Sequence, residues 1–211
     1  MAAILVPIGA AGVDLNNPTA LALDHSGNLF VADGHSIYKY APDSTKSTFA
    51  EGLKYPLGLS LDGKGNLFVS DGAATDAKSS ILKFTPDGKR STFATGISSV
   101  GMAFDRSGNL FVSQGDSIFK FTPEGKKSTF TSGIVPETYD PYHVAEVFTG
   151  LAPDRSGNLF VAEHVTGSIF KFTPDGKKST FATGMPVGAT GQGPLAEKRP
   201  RTPHLAFPAD T

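Results

Sequence analysis

Residues 134–148 read IVPETYDPYHVAEVF and crowd Glu137, Tyr139, Asp140, Tyr142, His143 and Glu146 into one short stretch. Two further histidines, His35 and His164, lie beside acids that end short apolar runs, Asp33 and Glu163. Two imidazoles and a carboxylate can hold zinc or a similar divalent metal, or act as an acid–base pair. The metal candidates are therefore His35, His143 and His164. The wider set of ligand-binding candidates is Tyr139, Asp140, Tyr142, His143, Glu146, His35, His164 and Glu163. For Asp33 and Asp71 a plainer role is favoured, in which each carboxylate accepts backbone hydrogen bonds in its own turn. No catalytic residue is assigned. The chain has no HExxH, GxSxG, P-loop or dinucleotide signature. Its lack of Cys removes disulfides, thiolate metal sites and a Cys nucleophile.

The elements that must carry these residues are legible from a repeat. GNLFV begins at Gly27, Gly65, Gly108 and Gly157, at spacings of 38, 43 and 49 residues. A period near 40 fits propeller blades, helical repeats and some solenoids. The residues inside the period decide among them. The third unit contains GMAFD, NLFVS, SIFKF and KSTFT, four short runs rich in β-branched and aromatic residues and bounded by turn formers. None has helical spacing. Arg106-Ser107-Gly108-Asn109 makes the first turn, and Gly108 can take positive φ there. Thr122-Pro123-Glu124-Gly125 makes the last, with Pro presetting φ.

Each unit is thus a four-stranded antiparallel meander. In NLFV, Phe111 points to one face while Leu110 and Val112 point to the other. A sheet that is apolar on both faces must be sandwiched, and radial stacking of such sheets makes a β-propeller. The expected fold is all-β, with four complete blades and a partial fifth from the two termini. In that fifth, Pro203–Phe207 would resemble a first strand and Ile4–Gly9 a last one. The expected organisation is a propeller over 1–184, with repeats at about 18–52, 56–96, 100–133 and 149–184, then a Gly- and Pro-rich tail over 185–211. A small ring or arc of four to five blades is favoured. Thirteen of the sixteen Phe recur at fixed strand positions, which reads as packing between blades rather than as a ligand platform.

The repeat pattern PxGLAxDxSGNLFVADxxSIxKFxPDG resembles the NHL-repeat propellers and the related six-bladed-type gluconolactonase (senescence-marker) superfamily. The resemblance spans roughly Pro18 to Gly184. It implies a propeller with its ligand site at the mouth formed by the second-to-third-strand loops and the blade connections. Gluconolactonase-like enzymes hold a divalent metal with Glu, Asn and Asp around the central channel. The matching positions here include Thr19, Leu57, Val100 and Thr149, none of which is a good ligand for a hard cation. NHL domains mostly act as interaction scaffolds.

The favoured function is a non-enzymatic scaffold that binds a small molecule, glycan or protein on the loop face. The alternative is a gluconolactonase-like, metal-dependent hydrolase or lyase with a non-standard site. A divalent metal is the cofactor to consider, and no motif requires one. A net charge of −1 gives no general attraction to nucleic acid or to an anionic membrane. No apolar run approaches a membrane span, and MAAILVPIGAAG lacks the basic segment of a signal peptide. A soluble chain of undetermined compartment is expected. An unclosed ring would invite a homodimer. Lys39, Lys83, Lys120 and Lys171, with the pairs at Lys89-Arg90, Lys126-Lys127 and Lys177-Lys178, read as charge protection of sheet edges.

Overall fold

A computed structural model describes residues 15–72, 79–97, 99, 101–134, 148–163 and 167–184. Among them every helix or strand element is a β-strand. The first sheet contains β1 (Pro18–Leu23), β2 (Leu29–Asp33), β3 (Ser36–Tyr40) and β4 (Lys46–Ala50). The second contains β5 (Pro56–Leu61), β6 (Leu67–Asp71), β7 (Ser80–Phe84) and β8 (Arg90–Thr95). The third contains β9 (Met102–Phe104), β10 (Leu110–Gln114), β11 (Ser117–Phe121) and β12 (Lys127–Thr131). The fourth contains β13 (Phe148–Pro153), β14 (Leu159–Glu163), β15 (Ser168–Phe172) and β16 (Lys178–Thr183). Each sheet is a sequential antiparallel meander, and together they form a four-bladed β-propeller. The partial fifth blade expected from the termini lies outside the described residues.

The first turn of every blade uses an Asp–Asn pair as well as its glycine. Asp105 Oδ1 accepts the Asn109 backbone N–H at 2.8 Å, and Oδ2 accepts the Asn109 side-chain amide at 2.7 Å. The same bonds join Asp24 to Asn28, Asp62 to Asn66 and Asp154 to Asn158. Gly108 has φ +78°, and a Cβ there would meet Pro123 Cγ at 3.4 Å. The Asp and Asn hold the loop while glycine supplies the left-handed conformation.

Alternation along the second strand fills two interfaces at once. Leu110 and Val112 join a core cluster with Phe68, Ile81 and Ile97 of the second blade. Phe111 joins another with Leu159, Val161 and Phe172 of the fourth. A third cluster links Phe30 and Ile37 to Leu67, Val69 and Phe84. The first strands pack in sequence along the inner side, β1 on β5, β5 on β9 and β9 on β13.

The fourth strand of each blade carries a β-bulge. Ile37 pairs with Ala50 and Tyr38 with Thr48, so Phe49 is the extra residue between them. Phe93, Phe130 and Phe181 occupy the same place. A bulge re-aims a side chain, and here it aims phenylalanine into the blade interface. Phe49 meets Phe30 edge-on at 5.0 Å and Phe84 of the next blade at 5.9 Å. The lysines of the third strands lie over the second-strand phenylalanines. Lys39 is 5.6 Å from the Phe30 ring centre, and Lys83 is 5.5 Å from that of Phe68. They cover aromatic surface with their stems while the ammonium stays wet.

Among the described residues no core cluster joins the fourth blade to the first. Leu21 and Leu23 of β1 are 63% and 67% exposed, and Phe181 of β16 is 63% exposed. Among the described residues these side chains have no partner blade.

Candidate functional site

The loop face is built where the second strand of each blade stops. Asp33 and Asp71 end β2 and β6 and are buried. Asp33 Oδ1 accepts the backbone N–H groups of Asn16 and Asn17 at 3.1 and 2.5 Å. Asp71 Oδ1 accepts those of Lys54 and Tyr55, each at 2.8 Å. These carboxylates tie down the segment that leads into the first strand of their own blade. The bonds are to backbone, yet they fall on that incoming segment and not in the carboxylate's own turn. The reason is register, since Pro18 faces Asp33 and Pro56 faces Asp71 across the first strand pair.

The third blade solves the same problem differently. Gln114 replaces the acid, and its Nε2 donates to the Gly96 carbonyl at 3.2 Å. Buried serines do the rest. The Ser99 N–H donates to Ser70 Oγ at 2.9 Å, and Ser99 Oγ donates to the Gly101 carbonyl at 2.8 Å. Ser113 Oγ accepts the Gly101 N–H at 3.2 Å. Sequence reasoning missed this network. Its signal was present as Ser70 and Ser113, which stand where the other second strands have Ala32 and Ala162.

Of the expected ligand-binding residues, the structure describes His35 and Glu163. His35 Nδ1 lies 3.1 Å from the Leu53 carbonyl and 2.9 Å from that of Lys54. Carbonyls only accept, so Nδ1 carries a hydrogen and donates it to them. Glu163 is buried at the end of β14, between Phe148 and Ser168 in register. It occupies the place of Asp33 and Asp71. The two residues belong to the first and fourth blades. Tyr139, Asp140, Tyr142, His143, Glu146 and His164 lie outside the described residues. Among the described residues no group of three or more His, Asp or Glu is placed to hold a metal ion. Thr19, one of the positions matched to lactonase ligands, donates its hydroxyl to the Pro56 carbonyl at 2.5 Å. Leu57 is half-buried. Val100 and the side chain of Thr149 are outside the described set.

Two clefts open on the other face, where the first-to-second-strand turns of neighbouring blades meet. One, of about 510 Å³, is lined by Asp24, His25, Lys39, Asp62, Lys64 and Arg106, among others. The second, of about 420 Å³, adds Phe68, Phe93 and Lys83. The carboxylates Asp24, Asp62 and Asp105 in these walls are bonded to their own asparagines. The clefts are thus bounded by turn scaffolding with His25, Lys64 and Arg106 at the rim. No described helix is long and apolar enough to cross a membrane.

No family model and no curated protein matches the sequence. Solved structures do match. A selenomethionine-substituted virginiamycin B lyase from Staphylococcus aureus aligns with TM-score 0.60 at 14% identity, over 78% of this chain and 55% of that one. A putative gluconolactonase aligns with TM-score 0.63 at 19% identity, over 80% and 64%. A streptogramin B lyase gives TM-score 0.63 at 17% identity, over 80% and 55%. The chain therefore spans between 55% and 64% of the length of these three structures. At such identities the common property is the architecture. The chain has the β-propeller fold of these structures, with four blades among the described residues.

Proposed function

We propose that this chain is a non-enzymatic propeller scaffold that binds a small molecule, glycan or protein on its loop face. The supporting observation is how the second-strand acids are used. Asp33 and Asp71 stand on the loop face, where a hydrolase would want ligands, and both accept backbone N–H groups. Their chemistry is committed to holding the blade together. What varies on that face is the loops, and residues 134–148 carry Tyr139, Tyr142 and His143 between carboxylates. Rigid scaffold with variable loops is the usual division of labour in binding proteins. Tyrosine and histidine supply flat contact area with a polar tip.

The rival reading is a gluconolactonase-like, metal-dependent hydrolase or lyase with a non-standard site; the similar structures are named as lyases and a putative gluconolactonase. The two readings separate on metal. Titration calorimetry of the purified chain with Zn²⁺ and Ca²⁺, alongside turnover of glucono-1,5-lactone, should give neither a stoichiometric binding isotherm nor hydrolysis. Saturable metal binding together with hydrolysis abolished by a chelator would replace the scaffold reading with the enzymatic one.

A further inference from the structure

The first turns of the four blades are near-copies, and the second blade departs from the copy where the two clefts join. The turns read DHSGN at 24–28, DGKGN at 62–66, DRSGN at 105–109 and DRSGN at 154–158. His25, Arg106 and Arg155 share one position, and the second blade puts Gly63 there. Gly63 is not in the left-handed region, and a Cβ on it would meet no atom within 4 Å. The turn therefore has no conformational need for glycine. What glycine provides is the space of the missing side chain. The basic group reappears one residue later as Lys64, where the other turns have Ser26, Ser107 and Ser156.

Gly63, Lys64, Phe104 and Arg106 line both clefts, so the two adjoin. Phe104 is a further departure from the repeat. It ends its first strand opposite Leu110, in the place that Leu23, Leu61 and Pro153 hold in the other blades. Three blades thus pack without a ring at this position. Phe104 is half-buried, and its ring centre lies 4.8 Å from that of Phe68. The larger cleft, 510 Å³, falls within the roughly 300–1,000 Å³ usual for small-ligand sites.

The charges around the cleft select the ligand. Asp24, Asp62 and Asp105 line it, but both oxygens of each accept N–H groups inside their own turn. Lys64 and Arg106 are exposed and form no ion pair among the described residues. We infer that the joined clefts bind a small aromatic anion, an aryl carboxylate or its like. Its ring packs on Phe104 and Leu61 in the room that Gly63 leaves, and its anionic group pairs with Lys64 and Arg106. Charge-assisted bonds from lysine and arginine suit an oxyanion, and an offset or edge-on ring contact suits Phe104. This site lies on the face opposite the variable loops and stands independently of any ligand bound there.

The test is titration calorimetry of the full chain with 2-naphthoate and with its uncharged analogue 2-naphthylmethanol. The wild type should bind 2-naphthoate saturably, one to one, and the alcohol more weakly. Lys64→Glu and Arg106→Glu should each weaken 2-naphthoate binding about tenfold or more. Gly63→Leu should abolish it by filling the cleft. The equivalent turns carry His25, Arg106 and Arg155 at that position, so the fold should tolerate leucine, and thermal melts followed by circular dichroism check that all three variants are folded. No saturable binding by the wild type overturns the inference, as does equal affinity for the alcohol. Unchanged affinity in either charge variant or in folded Gly63→Leu would also overturn it. So would loss of 2-naphthoate binding in a folded Tyr139→Ala/Tyr142→Ala/His143→Ala variant, which would place the anion on the loop face.

Discussion

Phe93, the extra residue in the bulge of β8, packs on Phe121 of the following blade with ring centroids 5.5 Å apart. Its other side meets Phe68 edge-on at 5.0 Å. One outer-strand side chain thereby cements its own blade and the next. Phe93→Ala should destabilise the chain by roughly 3 kcal/mol, the low end for loss of a large aromatic. Urea unfolding monitored by circular dichroism measures this. A loss under about 1 kcal/mol would show that the bulge aromatics are peripheral.

The buried carboxylate of Asp71 is a structural acceptor for two backbone amides. Asp71→Ala leaves those N–H groups without it and should cost roughly 2–3 kcal/mol, while Asp71→Asn keeps an acceptor oxygen and should cost less. Equal losses from both variants would mean that the charge itself matters, as it would at a ligand site.

The first turns need glycine for its backbone. Gly108 sits at φ +78°, with Pro123 Cγ at the 3.4 Å limit of comfortable contact. Gly108→Ala should cost about 1–2 kcal/mol from the left-handed conformation. Gly63, in the corresponding turn of the second blade, has no positive φ and open space around it. Gly63→Ala should change stability by less than about 0.5 kcal/mol. Thermal denaturation of the pair gives the comparison.

Acid should loosen the turns. The Asn158 side-chain amide, aided by the backbone N–H groups of Asn158 and Ser156, holds the Asp154 carboxyl below its ordinary value of 3.8. Burial pushes Asp24 up, yet its bonds to Asn28 and Ser26 outweigh that and bring it down as well. These bonds favour the ionised form. Their contribution is therefore present above the unfolded pKa and lost as pH falls through the lower folded value. The melting temperature should drop as pH is lowered below about 4. Asp154→Asn should lose less over that range than the wild type does, and an identical profile would sink the assignment.

The fold was largely legible because its determinants are local and repeated. NLFV already separates Leu110 and Val112 from Phe111, and those three residues fill two different interfaces in the structure. The Asp105–Asn109 bond was visible only as the recurring letters D and N around the glycine, since its geometry depends on the closed turn. The bulge that aims Phe93 was invisible, because a one-residue shift in pairing leaves no mark on apolar periodicity. The loop-face residues were the least legible. Asp33 looks like a ligand or a turn residue in the sequence, and register alone assigns it to the amides of Asn16 and Asn17. Residues 134–148 break the repeat, so the periodic logic that places every strand has nothing to say about them.

Loop-face binding is decided by one comparison. The wild type and a Tyr139→Ala/Tyr142→Ala/His143→Ala variant should be applied to the same array of immobilised neutral and acidic glycans, with circular dichroism confirming that both are folded. The scaffold reading predicts saturable binding by the wild type to at least one glycan class, and its loss in the folded triple variant. Binding that persists unchanged in that variant would contradict the placement of the site on this loop.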